Sequence, residues 1–515
     1  ILLGKIYFMI SKFGFHHFIF ALFPVTFLFL DNIHEVPLRD IFIPIIISLL
    51  IVVIPWIFLR QFIGGKKSAL IISLLVILLI TFAYVRSVLI YNDITEIRFI
   101  AQNVILMPIF FSVGIFGIIY ILRKKISLDI TSITNVVSIV IISVMIFQGA
   151  VFYLENDTSF VEAQKLLNVP ILQASETSQK PDVYFLLLDA YSGDITLKND
   201  FGYDNSEFYK QLEKRGFFVQ RDSFSNYPNT ELSMPSIMNM QYLDFIAKLQ
   251  GEESRDQNLA QKLWNENKVM QVFHANGYEI NSFHGRSGSN SDMVTENFCP
   301  YTLDLNPELV SEMVKMYLPM SSIRSSISED KQHGILTCFF DTMMNFEKNN
   351  ENPLYMHMHV RFPHQPLIFD SEGERVMNPL STNRFDSALK DAYLQQLIFA
   401  NKKTIEIVDS IQQKNSDAVI IVMSDHGSRF GVDWSNPSEM DYFRALNNLN
   451  ALYFPGKESH FPMNTSTVNV FRIFFNLYFE VDYEILDEKQ IWYVPSMPFQ
   501  HIDVTEIVKS SSLRN

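Results

Sequence analysis

Apolar residues follow two different rhythms along this chain. Up to about residue 155 they come in long runs near Phe13–Leu30, Ile41–Leu59, Ala69–Tyr84, Val104–Leu122 and Asn135–Tyr153. Each run is about long enough to cross the hydrocarbon core of a bilayer. A single run of this kind also describes the buried helix of a soluble protein. A series of them with short connectors does not, so the pattern predicts about five membrane spans. The cations orient them. Arg60, Lys66 and Lys67 lie in the second connector and Arg123, Lys124 and Lys125 in the fourth. The first and third carry Arg39 and Arg98, with Arg86 near the end of the third span, and Lys5 and Lys12 precede the first span. Cation-rich loops stay in the cytoplasm, which predicts a cytoplasmic N-terminus and, for an odd number of spans, an exported remainder. No cleavable signal peptide is expected, because the first span can direct export.

The second rhythm begins after a polar stretch, residues 155–180, that reads as a linker with a short helix. From Pro181 onward, short β-branched runs alternate with amphipathic ones. Strands are predicted at Val183–Asp189, Tyr278–Phe283, Leu354–Val360 and Ala418–Met423. Helices are predicted from the Asp204-Asn-Ser-Glu207 cap through Lys214, and at Leu259–Ala275, Lys390–Gln413 and Thr467–Phe479. Tyr301–Asn349 reads as a mostly helical insertion. The expected fold is an α-helical transmembrane bundle (1–154), then the linker (155–180), then an α/β domain with a doubly wound, mostly parallel sheet (181–515).

Chemistry enters at the strand ends. Ala418-Val-Ile-Ile-Val-Met-Ser-Asp425-His426-Gly427 is a buried-strand pattern that stops at an acid, an imidazole and a glycine. Val183-Tyr-Phe-Leu-Leu-Leu-Asp189 also ends on a carboxylate. Open α/β sheets place their ligands at these carboxyl edges. Between the two strands, Asn226-Tyr-Pro-Asn-Thr230 enters a helix with a hydroxyl at the junction, where an ordinary helix cap is the simpler role. Asp189, Thr230, Asp425 and His426 together form an oxygen and nitrogen donor set for one divalent metal, zinc or manganese. The formal net charge of −14 argues against nucleic acid as a partner. The two cysteines, Cys299 and Cys338, fall in the exported part, where a disulfide and two buried thiols are both open.

The order of these segments resembles the alkaline phosphatase/sulfatase superfamily, and within it the membrane-anchored lipoteichoic acid synthases and lipid A phosphoethanolamine transferases. The resemblance rests on Pro181–Ser192, on Asn205–Val219 followed by Tyr227–Met238, on Phe362–Phe369 and on Ile420–Arg429. It implies a metal-dependent phosphotransferase of the bacterial cytoplasmic (inner) membrane, multi-pass, with an extracytoplasmic catalytic domain. Thr230 is then both nucleophile and metal ligand beside Asp189, Asp425 and His426. A phospho-alcohol headgroup would pass from a phospholipid donor, through phospho-threonine, to an envelope glycan or lipid acceptor. His364 is assigned to the substrate phosphate or the leaving-group oxygen as donor or general acid. His359, Arg429 and Arg286 are weaker substrate-binding candidates, with packing or solvated-loop roles as their ordinary alternatives.

Two departures narrow the reaction. Conversion of a sulfatase nucleophile to formylglycine needs Cys or Ser, with Pro two positions on and Arg four positions on. Here Thr230 is followed at those places by Leu232 and Met234. The Asp-x-x-x-His pair of two-metal phosphodiesterases has no counterpart near His357, His359 and His364, so one metal is expected. A hydrolase using the same nucleophile and a non-catalytic ligand-binding membrane protein remain as rivals. Met313–Met320 is the candidate apolar approach from a membrane to the sheet edge.

Overall fold

The computed structural model describes residues 14–31, 33, 41–91, 105–123, 128–283, 293–299, 323–376, 387–457 and 465–514. Arg286 and the segment Met313–Met320 lie outside these. The chain divides into two units, one of Ile1–Glu155 with Tyr301–Ser328 and the other of Asn156–Pro300 with Glu329–Asn515.

The first unit is helical. Its helices are His16–Asp31, Phe42–Ile63, Gly65–Tyr91, Met107–Arg123 and the start of Leu128–Leu167. Among the described residues, three stretches are long and apolar enough to cross a membrane: Phe42–Ile63, Gly65–Val85 and Ile130–Phe152. His16–Leu30 and Met107–Arg123 are apolar but shorter. Phe58, Phe62, Phe111, Phe116, Ile146 and Phe147 point outward, as side chains facing lipid do. Polar groups turn inward instead. Asn135 Oδ1 accepts the peptide N–H of His16 at 3.0 Å, and the His16 ring meets the Ser73 hydroxyl at 2.6 Å. Such contacts fasten helices where no hydrophobic force between them is available.

The last helix continues past the boundary read at residue 155, running from Leu128 to Leu167. No glycine or proline occurs between Val151 and Asn168, and nothing else there stops a helix. Its end is anchored in the second unit, where Ala163 and Leu167 pack with Tyr227, Leu232 and Leu263.

The second unit is built on a seven-stranded sheet in the order β2-β7-β6-β1-β5-β3-β4. The strands are β1 (Val183–Leu188), β2 (Phe218–Val219), β3 (Glu279–Phe283), β4 (Glu296–Phe298), β5 (Leu354–Val360), β6 (Val419–Met423) and β7 (Asn450–Tyr453). β1 is central and parallel to both β5 and β6; only the pairings made by β7 are antiparallel. Alternation sends Val183, Phe185 and Leu187 to one core, with Phe273, Phe471 and Phe475. It sends Tyr184, Leu186 and Leu188 to the other, with Leu397 and Ile407 of the long helix Ser387–Lys414. A sheet covered on both faces explains why these strands read as continuous apolar runs. The predicted helix Leu259–Ala275 is two helices, Asn258–Asn265 and Lys268–Ala275. Asn267 divides them by capping the second, its side chain accepting from the Met270 N–H at 2.9 Å.

Candidate functional site

Register brings the reactive groups together. Leu187 of β1 stands beside His359 of β5 and Met423 of β6, so the residues just past β1 and β6 emerge at one edge of the sheet. Asp189 follows β1 directly. The chain then turns sharply at Ala190, in the left-handed region with φ 62°, and the Ala190 N–H donates to Asp425 Oδ1 at 3.2 Å. After β6, His426 donates its own N–H to the same Asp425 oxygen at 3.1 Å. Gly427 is required by close packing, since a Cβ there would lie 2.4 Å from the Arg444 carbonyl oxygen.

Thr230 enters from a third direction, as the first residue of the helix Thr230–Asn239. The cap position belongs to Asn229, and the Thr230 hydroxyl serves no capping bond. It donates to Asp425 Oδ2 at 2.6 Å and lies 3.0 Å from His426 Nε2. Ser233, one turn further along, donates to the Asp425 carbonyl at 2.7 Å and ties this helix to the strand end. Asp189 Oδ1 is 3.7 Å from His426 Nε2, and Asp425 Oδ2 is 3.4 Å from it. The structure therefore gathers all four residues of the expected ligand set, each of them buried.

The arrangement fits a divalent cation. Neither Asp189 oxygen has a hydrogen-bond partner although the residue is only 1% exposed. Two carboxylates buried side by side are costly without a counter-charge. Ligand atoms of Asp189, Asp425 and His426 lie within 4.8 Å of one another. The ring of His426 is in the right tautomer, because its Nδ1 sits 2.7 Å from the Gly427 carbonyl, which can only accept, leaving the Nε2 lone pair free. Burial and the Arg429 guanidinium push His426 down to about 3, so it is neutral and able to ligate. Burial would raise Asp189, but His364, His359 and His426 outweigh it and hold the carboxyl well below its usual range. Burial and the Asp189 charge raise Asp425 to about 6.

The remaining candidates surround this centre. His359 faces Asp189, Nε2 to Oδ2 at 3.6 Å, with its ring against Trp264, which places it behind the carboxylate. His364 Nε2 lies 3.5 Å from Arg429 Nη2, and Arg429 also donates to Asn229 Oδ1. On its other side, His364 Nδ1 donates to the Gln365 carbonyl at 2.7 Å, with Arg361 Nε 3.2 Å from the same nitrogen. Burial pushes His364 down to about 3; Asp189 opposes this and the two arginines add to it. Asn229 and Arg361 escaped the sequence reading. Asn229 had a visible signal, adjacency to Thr230 at a helix start, whereas Arg361 is recognisable only once the strand end is folded. Cys299 and Cys338 are joined by a disulfide.

The sulfatase family matches residues 181–465 of the chain. No curated protein matches it. Among solved structures, the chain is similar to the C-terminal periplasmic domain of EptC from Escherichia coli in complex with zinc. That match has 12% identity and a TM-score of 0.41, covering 67% of this chain and 98% of that one. It is also similar to the integral membrane lipooligosaccharide phosphoethanolamine transferase EptA from Neisseria meningitidis, at 12% identity and a TM-score of 0.38, covering 90% of this chain and 96% of that one. A third is the C-terminal periplasmic domain of the phosphoethanolamine transferase EptC from Campylobacter jejuni, at 12% identity and a TM-score of 0.37, covering 62% and 95% respectively.

Proposed function

The chain belongs to the sulfatase family, and from that premise we propose that it is a metal-dependent phosphotransferase acting on a phospholipid. One observation carries the reading: a buried threonine hydroxyl is held against an acid and an imidazole at the edge of the sheet, which suits it to act as a nucleophile. Its neighbours Leu232 and Met234 exclude formylglycine formation. Asp189, Thr230, Asp425 and His426 would hold one divalent ion, zinc or manganese, and such an ion lowers the proton affinity of a bound hydroxyl.

The chain's own residues supply the rest. Thr230 Oγ1 attacks the phosphorus of the donor phosphodiester, and Asp425 is the acceptor placed for its proton. The bond from phosphorus to the diacylglycerol oxygen breaks, leaving the headgroup phosphate on Thr230. A bound phosphodiester anion works against the burial that keeps His364 neutral, so His364 can protonate the departing oxygen. Neutral again, it accepts the proton of the hydroxyl that attacks phospho-threonine. The bond from phosphorus to Thr230 then breaks, and Asp425 returns its proton to the departing Thr230 Oγ1. Arg429 and the N-terminal end of the Thr230 helix offset phosphate charge. Apolar helices on the same chain support a lipid donor, and the Cys299–Cys338 disulfide supports an extracytoplasmic domain on the bacterial inner membrane. The acceptor in this reading is an envelope glycan or lipid.

The test is mass spectrometry of the purified protein after exposure to mixed phospholipids. A headgroup phosphate adduct on Thr230, lost in Thr230→Ala, is the expected result. Release of free phospho-alcohol, with nothing added to a sugar or lipid hydroxyl, would make the enzyme a hydrolase instead.

A further inference from the structure

The C-terminal segment beyond the family match brings an unused hydroxyl to the nucleophile's doorstep. Ile491–Trp492 forms a short hairpin with Ile502–Asp503, and the Ile491 N–H donates to the Asn226 carbonyl at 2.9 Å. That bond fastens the segment to the loop leading into Thr230. The next residue, Tyr493, is 1% exposed and packs with Tyr227, Leu232 and Phe499. Its hydroxyl is buried without a hydrogen-bond partner of good geometry, and Glu231, Asn229 and Arg429 are near enough to act on its proton affinity. Asn229 already gives its oxygen to Arg429, so its amide nitrogen is what it can offer the phenol oxygen. The phenolic proton is left over.

We infer that Tyr493 is a further catalytic residue, donating this proton as a hydrogen bond to a non-bridging oxygen of the substrate phosphate beside Arg429. The inference rests on the phosphotransfer reading above. A buried hydroxyl without an acceptor weakens a fold, and phenylalanine would pack the same space without that cost. The chain nevertheless carries tyrosine, packed against Tyr227 and Leu232 on either side of the nucleophile. Burial and the Glu231 carboxylate push the phenol well above its ordinary range, which keeps it a donor at every pH where the enzyme works. Charge on the phosphoryl oxygens changes during transfer, so a fixed donor here acts on turnover more than on ground-state binding.

The experiment compares the full-length protein, Tyr493→Phe and Thr230→Ala, with bis(p-nitrophenyl) phosphate as substrate and inorganic phosphate as competitor. Tyr493→Phe should lose about 10–100-fold in kcat with little change in KM. It should weaken inhibition by inorganic phosphate several-fold while keeping metal content and thermal midpoint at or above wild type. Wild-type kcat and wild-type phosphate inhibition in Tyr493→Phe would overturn the inference and leave the nucleophile assignment standing. Full activity in Thr230→Ala would instead overturn the phosphotransfer reading, and phosphate inhibition of Tyr493→Phe would still decide the phenol's role. A kcat loss accompanied by lost metal or a lowered midpoint would assign Tyr493 to packing.

Discussion

Thr230 and Asp425 share one short hydrogen bond, and the two side chains answer to different measurements. Thr230→Ala removes a hydroxyl whose partners are site groups rather than helix N–H groups, so turnover should vanish while stability falls by only ~1 kcal/mol. Thr230→Ser keeps an oxygen in reach of Asp425 and His426 and should retain partial activity. A denaturation midpoint and a turnover assay on the same preparations separate these effects. Asp425 should govern metal uptake. Its proton affinity is raised, to about 6, so below that pH a proton competes with the cation; above it the carboxylate is free. His426, pushed down to about 3, stays neutral throughout and adds no slope in this range. Metal affinity should therefore fall as pH drops through about 6 and level off above it. A titration with a chelating indicator at several pH values checks this, and a flat profile from pH 5 to 8 would contradict it. Of these residues, Asp189, Asp425 and His426 were legible because strands announced them by stopping. Thr230 was ambiguous on the page, since a cap and a nucleophile look alike there; the structure gives the cap position to Asn229.

Among elements, the helix Asp194–Phe201 that follows the Asp189 turn is held by charge. Asp200 pairs with Lys390 of the long helix at 2.9 Å and with Arg444 of the helix Glu439–Leu446 at 2.7 Å. Burial disfavours its charged form, but the hydrogen bonds from Arg444 and Lys390 prevail and the carboxyl is lowered below its ordinary range. A depressed acid contributes stability that is complete above its unfolded value, roughly pH 4, and is lost as pH falls through the lower folded value. Asp200→Asn should thus lower stability by about 1–3 kcal/mol at pH 7. That deficit should shrink when both proteins are compared below pH 4; thermal unfolding at the two pH values measures it. An equal deficit at both would remove charge as the cause. The periodicities located Leu354–Val360 to the residue and the other predicted strands and helices within a few positions, but gave no sign of the short strands β2, β4 and β7 or of the helices Asp194–Phe201 and Glu439–Leu446. They missed the division at Asn267, because a lone asparagine inside an amphipathic run carries little signal until its side chain is seen to cap.

At the scale of the whole molecule, the donor set has room for one cation in the proposed reading, and elemental analysis of the purified protein should return one tightly bound zinc or manganese per chain. Two per chain would favour the two-metal phosphodiesterase alternative. The sequence alone determined the division into an apolar helical part and an α/β part, the parallel core strands, and the acids at two strand ends. These follow from local rules: apolar run length, side-chain alternation, and the abrupt end of a buried strand at a charge. Tertiary structure decided the rest. Strand order put β1 between β5 and β6, which set Asp189 beside Asp425 and His359 behind it. Packing of the Thr230 helix across the strand ends aimed its hydroxyl at Asp425, and the C-terminal hairpin set Tyr493 against Tyr227 and Leu232 beside it. No local pattern encodes such meetings, because each depends on where distant segments lie once the two faces of the sheet have been buried.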